Sequence, residues 1–338
     1  MQNTVVVYGA TGHTGRFIVA ELVERGFVPI LSGRDATRLE VLAKEYDDLA
    51  VRPATADDPE SLDRALAGAA AVINAAGPFA VTAGPVVEAA LRAGIPYVDV
   101  AAEIEANADM FANYAEPARQ AGVTVVPAMA FYGGLGDLLV TAAMGDWTTA
   151  DEAHIAYGLT SWHPTPGTRS AGTISHDRRA GRRVRFANGQ LQYHDDQPVQ
   201  QTWTFPEPLG RRQVIAEFTM ADVVTIPSHL PIPEVRTYMS TEAAKDLSDE
   251  DTPAPLPVDD QGRSDQTFAV DVIVRAGNTE RRLTAHGQDI YAITAPLAVE
   301  AVHRILTGRT RTTGVASAGE IFDAEDFLRS LAPTLSIN

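Results

Sequence analysis

From Thr4 to Val126 short apolar runs alternate with stretches of helical period, the rhythm of repeated strand–helix units that feed a parallel sheet. Strands are expected at Thr4–Tyr8, Val28–Ser32, Leu49–Pro53, Ala70–Asn74, Tyr97–Val100 and Thr124–Val126. The fourth lacks polar alternation, as a strand covered on both faces should. Between them, Thr14–Arg25 carries Phe17, Ile18, Leu22 and Val23 on one helical stripe and stops at Gly26. Ala36–Tyr46, Pro59–Leu66, Pro85–Ala93 and Ala106–Ala121 read as further helices. Proline opens two of them, Gly94 closes one, and Pro117 is expected to kink the last.

Beyond about residue 150 the rhythm changes. His154–Thr160, Arg182–Phe186, Gln190–Tyr193, Val214–Phe218 and Phe268–Val274 read as strands. Asn188-Gly189 is a two-residue hairpin turn, and Ala276–Thr279 is a second candidate. Residues 246–265 hold seven acids, three prolines and one glycine, which reads as a solvated excursion. A helical pattern returns after Ile290 through Ala298, Val299, Val302, Ile305 and Leu306, and Ala324–Leu331 forms a last short helix. These last helices are expected to pack back on the first domain. The fold class is therefore α/β: a Rossmann-type doubly wound parallel sheet, plus an inserted α+β domain with a mainly antiparallel sheet. The expected division is 1–127 with 290–338 for the first domain and 128–289 for the second.

Composition narrows the function classes. The chain has 338 residues, 45% hydrophobic and 21% charged, enough for two packed cores. A net charge of −17 disfavours nucleic acid and anionic lipid as partners. With no cysteine, thiolate nucleophiles and cysteine metal sites are excluded. No pair of histidines and carboxylates has metal-ligand spacing, so no metal is expected. No apolar run approaches the ~20 residues of a membrane span, and the first strand follows without a basic leader. A cytoplasmic protein with a small-molecule substrate is expected, and the second domain's sheet suggests a homodimer.

The chemistry begins between the first strand and the first helix. Gly9, Gly12 and Gly15 stand at positions where a tight turn, a close backbone approach to pyrophosphate and close helix–sheet packing each call for glycine. Thr11, His13 and Thr14 complete the loop, and the helix N-terminus offers free N–H groups to an anion. The spacing G-x-x-G-x-x-G differs from the simple G-x-G-x-x-G fingerprint, but it sits in the strand–turn–helix context the motif requires.

The second strand ends Ser32-Gly33-Arg34-Asp35. An acid there would bind a ribose 2′-OH, whereas arginine suits a 2′-phosphate. Arg38 lies one turn beyond Arg34, so both could clamp one phosphate, with Ser32 adding a hydroxyl. Asp35 is the dissenting residue. The balance favours NADP over NAD. The fourth strand ends Asn74-Ala75-Ala76-Gly77-Pro78-Phe79 at the switch point of the sheet. Its small residues would let the dinucleotide cross, and Phe79 would bound the nicotinamide pocket. Ala56-Asp57, after the third strand, are candidates to border the adenine.

Residues 9–15, Ser32–Arg34, Asn74–Phe79, Tyr97–Glu103 and Ala318–Glu320 together resemble the saccharopine dehydrogenase-like oxidoreductases, which include saccharopine reductases and trans-acting enoyl reductases. The strong part covers about residues 4–137, with weaker similarity around Tyr291–Ala295 and Gly314–Leu331. Ser170–Thr173 is similar to a Ser-x-Gly-Thr loop near the active-site cleft. The resemblance implies NADPH-dependent reduction of a C=N or C=C bond. It also implies that Asp99, Glu103 and Asp137 shape the cleft. Many relatives carry Gly-Phe-Asp-Ser-x-Pro-Ser-Asp after the sixth strand. Here the stretch is Ala130–Asp137, and Tyr132 stands in place of the first aspartate.

Three catalytic candidates emerge. Tyr132 lies in a glycine-rich loop whose hydroxyl could face the cleft, or it packs in the core. The polar, aromatic stretch Thr160–His176 reads as a loop in which His163 could donate a proton and Arg169 could bind a carboxylate or phosphate; the alternative is a plain surface loop. No tyrosine has a lysine four residues on, which disfavours a short-chain dehydrogenase. The basic run Arg178, Arg179, Arg182, Arg183 and Arg185 is either an anion-receiving patch or a solvated, ion-paired strip. A non-catalytic NADP-binding sensor is the alternative function.

Overall fold

A computed structural model describes residues 3–338. Its first layer runs β1 Thr4–Tyr8, α1 His13–Glu24, β2 Val28–Gly33, α2 Ala36–Lys44, β3 Val51–Pro53, α3 Pro59–Leu66, β4 Ala71–Asn74, α4 Phe79–Ala93, β5 Tyr97–Asp99, α5 Ile104–Ala121 and β6 Thr124–Val126. A π-helical turn, Phe131–Leu135, leads into α6 Gly136–Met144. The next region comprises β7 Glu152–Leu159, α7 Pro166–Arg178, β8 Arg183–Ala187, β9 Gln190–His194, β10 Gln200–Thr204, β11 Arg211–Ala216, α8 Asp222–Thr225, β12 Glu234–Ser240, α9 Thr241–Ser248, β13 Thr267–Ala276 and β14 Thr279–Gln288. The chain closes with α10 Thr294–Leu306, β15 Gly314–Val315, α11 Ala318–Ile321, α12 Ala324–Ser330 and β16 Ser336–Ile337.

The first sheet is wholly parallel, in the order β15-β6-β5-β4-β1-β2-β3. Chain order reverses between β1 and β4, so the switch point lies where the sequence pattern put it. Both faces of β4 are covered, and all four of its residues are buried. Helix α10 returns to pack on α1, and β15 extends the parallel sheet. The second sheet runs β10-β11-β12-β7-β13-β14-β16, with β8 and β9 attached beside β12. It is antiparallel except for the β12–β7 pair. Asn188 and Gly189 both take positive φ, 54° and 72°, as a type I′ hairpin turn requires. One continuous core links the two sheets. Val5, Leu31 and Met129 on one side connect through Phe131, Leu138 and Val299 to Tyr157 and Phe268 on the other.

Besides β10, β12 and α9, which the pattern did not mark, two elements near the site depart from it. Helix α4 begins at Phe79 rather than Pro85, which lies inside it. Its start is set by a distant group: the Glu103 carboxylate accepts from Phe79 N–H at 2.7 Å and Ala80 N–H at 2.9 Å. The stretch Thr160–His176 is mostly helix, not loop. Thr165 Oγ1 caps Thr168 N–H at 3.1 Å and Pro166 opens α7. Its only fully buried residue is Ser175, so no apolar stripe marks it. The acidic stretch 246–265 ends α9 at Ser248 and is then irregular and largely exposed but anchored. Asp246 Oδ2 accepts from Trp162 N–H, and Ser264 N–H donates to Asp289 Oδ2.

Candidate cofactor and substrate site

A cavity of about 1200 Å³ lies outside the carboxyl ends of the parallel strands. The loops after β1 to β6 all reach it, and α7 with residues 215–220 form its far wall. Gly9, Thr11, Gly12, His13 and Thr14 line one end. Gly9 sits at φ +92°, and a Cβ there would come within 2.8 Å of the Ala75 and Ala76 backbone. Gly9 N–H donates to the Ser32 carbonyl at 2.9 Å, which pins the turn to β2. Gly15 does not line the cavity. It is buried, and a Cβ there would overlap the Gly9 carbonyl, so its role is helix–sheet packing. His13 packs edge-on against Phe17 and Tyr291, and burial lowers its pKa, which keeps the ring neutral.

At the adjoining end, Gly33, Arg34 and Arg38 line the cavity. Arg34 and Arg38 are exposed, and neither forms an ion pair among the described residues. Arg38 Nη2 donates to the Thr11 carbonyl at 3.3 Å, bridging β2's loop to the phosphate loop. Asp35 caps α2, its carboxylate accepting from Arg38 N–H at 3.0 Å. That accounts for the acid without a ribose. Ser32 corrects the sequence expectation: its side chain is fully buried and its Oγ does not reach the cavity.

The strand-four loop forms the middle of the cavity through Ala75, Ala76, Gly77, Pro78 and Phe79. Asn74 is buried behind them rather than lining the space. Its Oδ1 accepts from Ala76 N–H at 3.1 Å and its Nδ2 donates to Tyr97 Oη at 3.2 Å. Tyr97 donates in turn to Asp99 at 2.9 Å, and Asp99 accepts from Ala101 and Ala128 N–H. Burial raises Asp99 to about 6. Glu103 lines the cavity, and its carboxylate, held at the α4 N-terminus, is pushed upward by burial.

Tyr132 lines the cavity and is 6% exposed. Its ring packs against Phe131, Tyr157 and Trp162, and its hydroxyl has no partner among the described residues. Burial raises its pKa well above the ordinary tyrosine value. The other two candidates stand elsewhere. His163 is not among the lining residues; its carbonyl accepts from Tyr291. Arg169 donates to the carbonyls of Asp249 and Thr252 and ties α7 to the acidic stretch, because α7 turns this side chain away from the cavity. The basic run is largely consumed internally. Arg178 pairs with Asp109 at 2.7 Å, and Arg185 with Asp196 at 3.0 Å and Glu217 at 3.5 Å.

A residue that sequence reading did not single out joins the two halves. Tyr291 Oη accepts from Trp162 Nε1 at 3.2 Å and Thr165 N–H at 3.3 Å, and shares a bond with Thr168 Oγ1 at 2.9 Å. Its ring meets His13 of the phosphate loop, 5.1 Å between centroids. Only its place in the family-like tail hinted at it.

Behind Tyr132, Tyr157 donates to the buried Asp222 at 2.8 Å, and burial raises Asp222 to about 7. A carboxyl raised in the folded state adds stability that is fully present below its unfolded pKa and lost as pH rises through its folded value. Asp222→Asn is therefore expected to gain stability relative to the parent between pH 5 and pH 8, by about 3 kcal/mol. Denaturant melts at the two pH values check this; a difference independent of pH would contradict it.

Residues 5–126 match the family model described as the saccharopine dehydrogenase NADP binding domain. The chain is similar to a probable mitochondrial saccharopine dehydrogenase-like oxidoreductase of Arabidopsis thaliana, 32% identical over 142 residues, 38% of this chain and 31% of the relative. It is also similar to a lipid droplet localized protein of Caenorhabditis elegans, 36% identical over 136 residues, 37% of this chain and 32% of the relative. These matches span about a third of each relative's length. In fold the likeness extends over the whole chain. The apo saccharopine dehydrogenase (L-Glu forming) of Saccharomyces cerevisiae superposes with a TM-score of 0.66 over 99% of both chains, at 12% identity. No helix among the described residues is long and apolar enough to cross a membrane.

Proposed function

We propose that this chain, whose residues 5–126 are a saccharopine dehydrogenase NADP binding domain, is an NADPH-dependent oxidoreductase that reduces a C=N or C=C bond of a small-molecule or carrier-bound substrate. The observation that carries the reading is the continuation of the cofactor cavity past Phe79 into a chamber walled by the second domain, with the unpartnered Tyr132 hydroxyl buried in its wall. A sensor that only binds NADP needs no such chamber.

The residues present fit the cofactor. The glycine cradle leaves no room for a Cβ at Gly9, as a loop that backbone-wraps pyrophosphate requires. Arg34 and Arg38 offer unpaired guanidinium groups to a 2′-phosphate. Thr11 to Thr14 would present the α1 N-terminus to its phosphates, and Ala75 to Gly77 would leave space for its nicotinamide end. When bound, NADPH supplies the hydride that adds to carbon. Tyr132 supplies the proton to the neighbouring atom, and water entering the open cavity returns a proton to its phenolate. Burial raises the Tyr132 pKa, which keeps its hydroxyl protonated and able to donate. Glu103 holds α4, and with it Phe79, in place against the reacting end. Tyr291 holds the start of α7 over the phosphate loop. A homodimer and a cytoplasmic location belong to the same proposal.

NADPH oxidation followed with imine and enoyl substrates tests the reading. Tyr132→Phe is expected to lower kcat by about 10²–10⁴-fold with the NADPH Kd unchanged. An unaltered kcat would remove Tyr132 from the mechanism, and NADPH binding without turnover on either substrate class would favour the sensor.

A further inference from the structure

We infer that the far half of the cavity binds the tail of an elongated apolar ligand whose end carries a carboxylate or phosphate, held by Arg179 and Arg183. Calling that ligand the substrate rests on the reductase reading; the binding itself does not.

Helix α7 sets the geometry. Thr168, the neighbours Ala171 and Gly172, Ser175 and Arg179 follow one another at helical spacing of three to four residues and all line the cavity. Thr168 is bonded to Tyr291 beside the phosphate loop, and a Cβ at Gly77 of the strand-four loop would lie 4.0 Å from the Ala171 Cβ. From Ala171 to Arg179 a helix rises about 12 Å, which spaces the arginine from the reacting end by an extended chain. Facing this rail are Ile104, Ile215, Phe218 and Met220, an apolar wall.

The rail ends on charge. The Arg179 side chain is 16% exposed. Its Nη1 donates to Ser175 Oγ at 2.7 Å and lies 3.9 Å from Glu105, while its Nε is buried without a partner. Ser175 in turn donates to the other Glu105 oxygen at 2.6 Å. Among the described residues Arg183 donates only to the main-chain carbonyls of Asp196, Ala216 and Glu217. The Asp196 and Glu217 carboxylates lie against Arg185 and His194 instead. Arg179 thus shares one carboxylate with Ser175, and Arg183 has no carboxylate within ion-pair distance among the described residues, Glu217 and Asp196 acting on it only from farther off, on the wall of a cavity in a chain of net charge −17. Burial lowers the pKa of both arginines, opposed by Glu105 at Arg179 and by Glu217 and Asp196 at Arg183. A carboxylate or phosphate supplies the charge and the acceptor that Nε lacks. Midway, Gly172 is open: a Cβ there meets nothing within 4 Å.

Calorimetric titration of the NADP⁺-loaded protein with decanoate, decyl phosphate and decanol tests this without turnover. Both anions are expected to bind one site at least about tenfold more tightly than decanol, the effect of one charge-assisted hydrogen bond. The tighter of the two identifies the end group. Arg179→Gln is expected to erase that preference with NADPH affinity retained. Gly172→Leu, which touches no polar group and improves helix propensity, is expected to weaken decanoate but spare butanoate. Equal affinity for decanol and decanoate, a preference that survives Arg179→Gln with NADPH binding intact, or equal losses for decanoate and butanoate in Gly172→Leu would each overturn the inference. If Arg179→Gln loses NADPH binding as well, the Gly172→Leu comparison decides. Failure of every imine and enoyl assay with anion binding intact would overturn the reductase reading alone.

Discussion

Gly9→Ala is expected to raise the NADPH Kd by at least about 100-fold, the equivalent of about 3 kcal/mol. Two costs combine. A non-glycine residue at φ +92° is strained by roughly 1–3 kcal/mol. The added Cβ also comes within 2.8 Å of the carbonyl carbon of Ala75 and the nitrogen of Ala76. Those atoms are backbone, continuous with the buried strand β4, so they cannot give way as a flexible side chain would. The phosphate loop and the strand-four loop must part, and they are the two surfaces between which the dinucleotide is expected to cross. Gly94→Ala is the control. That residue also has positive φ, 65°, but a Cβ there meets nothing within 4 Å. It is expected to cost about 1–2 kcal/mol of stability and leave NADPH affinity alone. Calorimetric titration of both variants checks the pair, and normal binding by Gly9→Ala would refute the cradle.

The double variant Arg34→Ala/Arg38→Ala is expected to bring NADPH affinity down to that for NADH, with NADH binding unchanged. Each charge-assisted hydrogen bond contributes about 1.5–3 kcal/mol, so each arginine is expected to carry roughly 10- to 150-fold of NADPH affinity. Both side chains line the cavity unpaired, so no internal salt bridge has to break before they engage a phosphate. Asp35 does not oppose this, because its carboxylate is engaged at the start of α2. Comparing both cofactors on parent and variant separates selectivity from general damage. A parallel loss of NADH binding would mean that the arginines support the loop rather than read the 2′-phosphate.

Much of this molecule follows from local pattern. The six parallel strands, the helices between them and the Gly9–Gly15 loop are set by interactions within a few residues: apolar period, glycine stops and the steric freedom of glycine. The two hairpins follow in the same way from Asn188-Gly189 and Gly277-Asn278. The loops that line this end of the cavity were therefore legible, with Arg34 and Arg38 among them. What tertiary structure alone decided depends on contacts between residues far apart in the chain. The Glu103 carboxylate starts α4 six residues before Pro85. Tyr291, more than a hundred residues from Trp162 and Thr165, gathers the hydroxyl and N–H groups that seat α7. Helix α7 itself buries almost no apolar surface, so nothing periodic announced it. Once formed, its turn sends Arg169 outward and Arg179 into the cavity, a sorting of like residues that composition cannot express. Local sequence determined which strands, turns and glycines line one end of the cavity, because these act on their neighbours. Which side chains face the rest of the cavity was decided by long-range hydrogen bonds and burial, because these exist only once the two sheets are packed together.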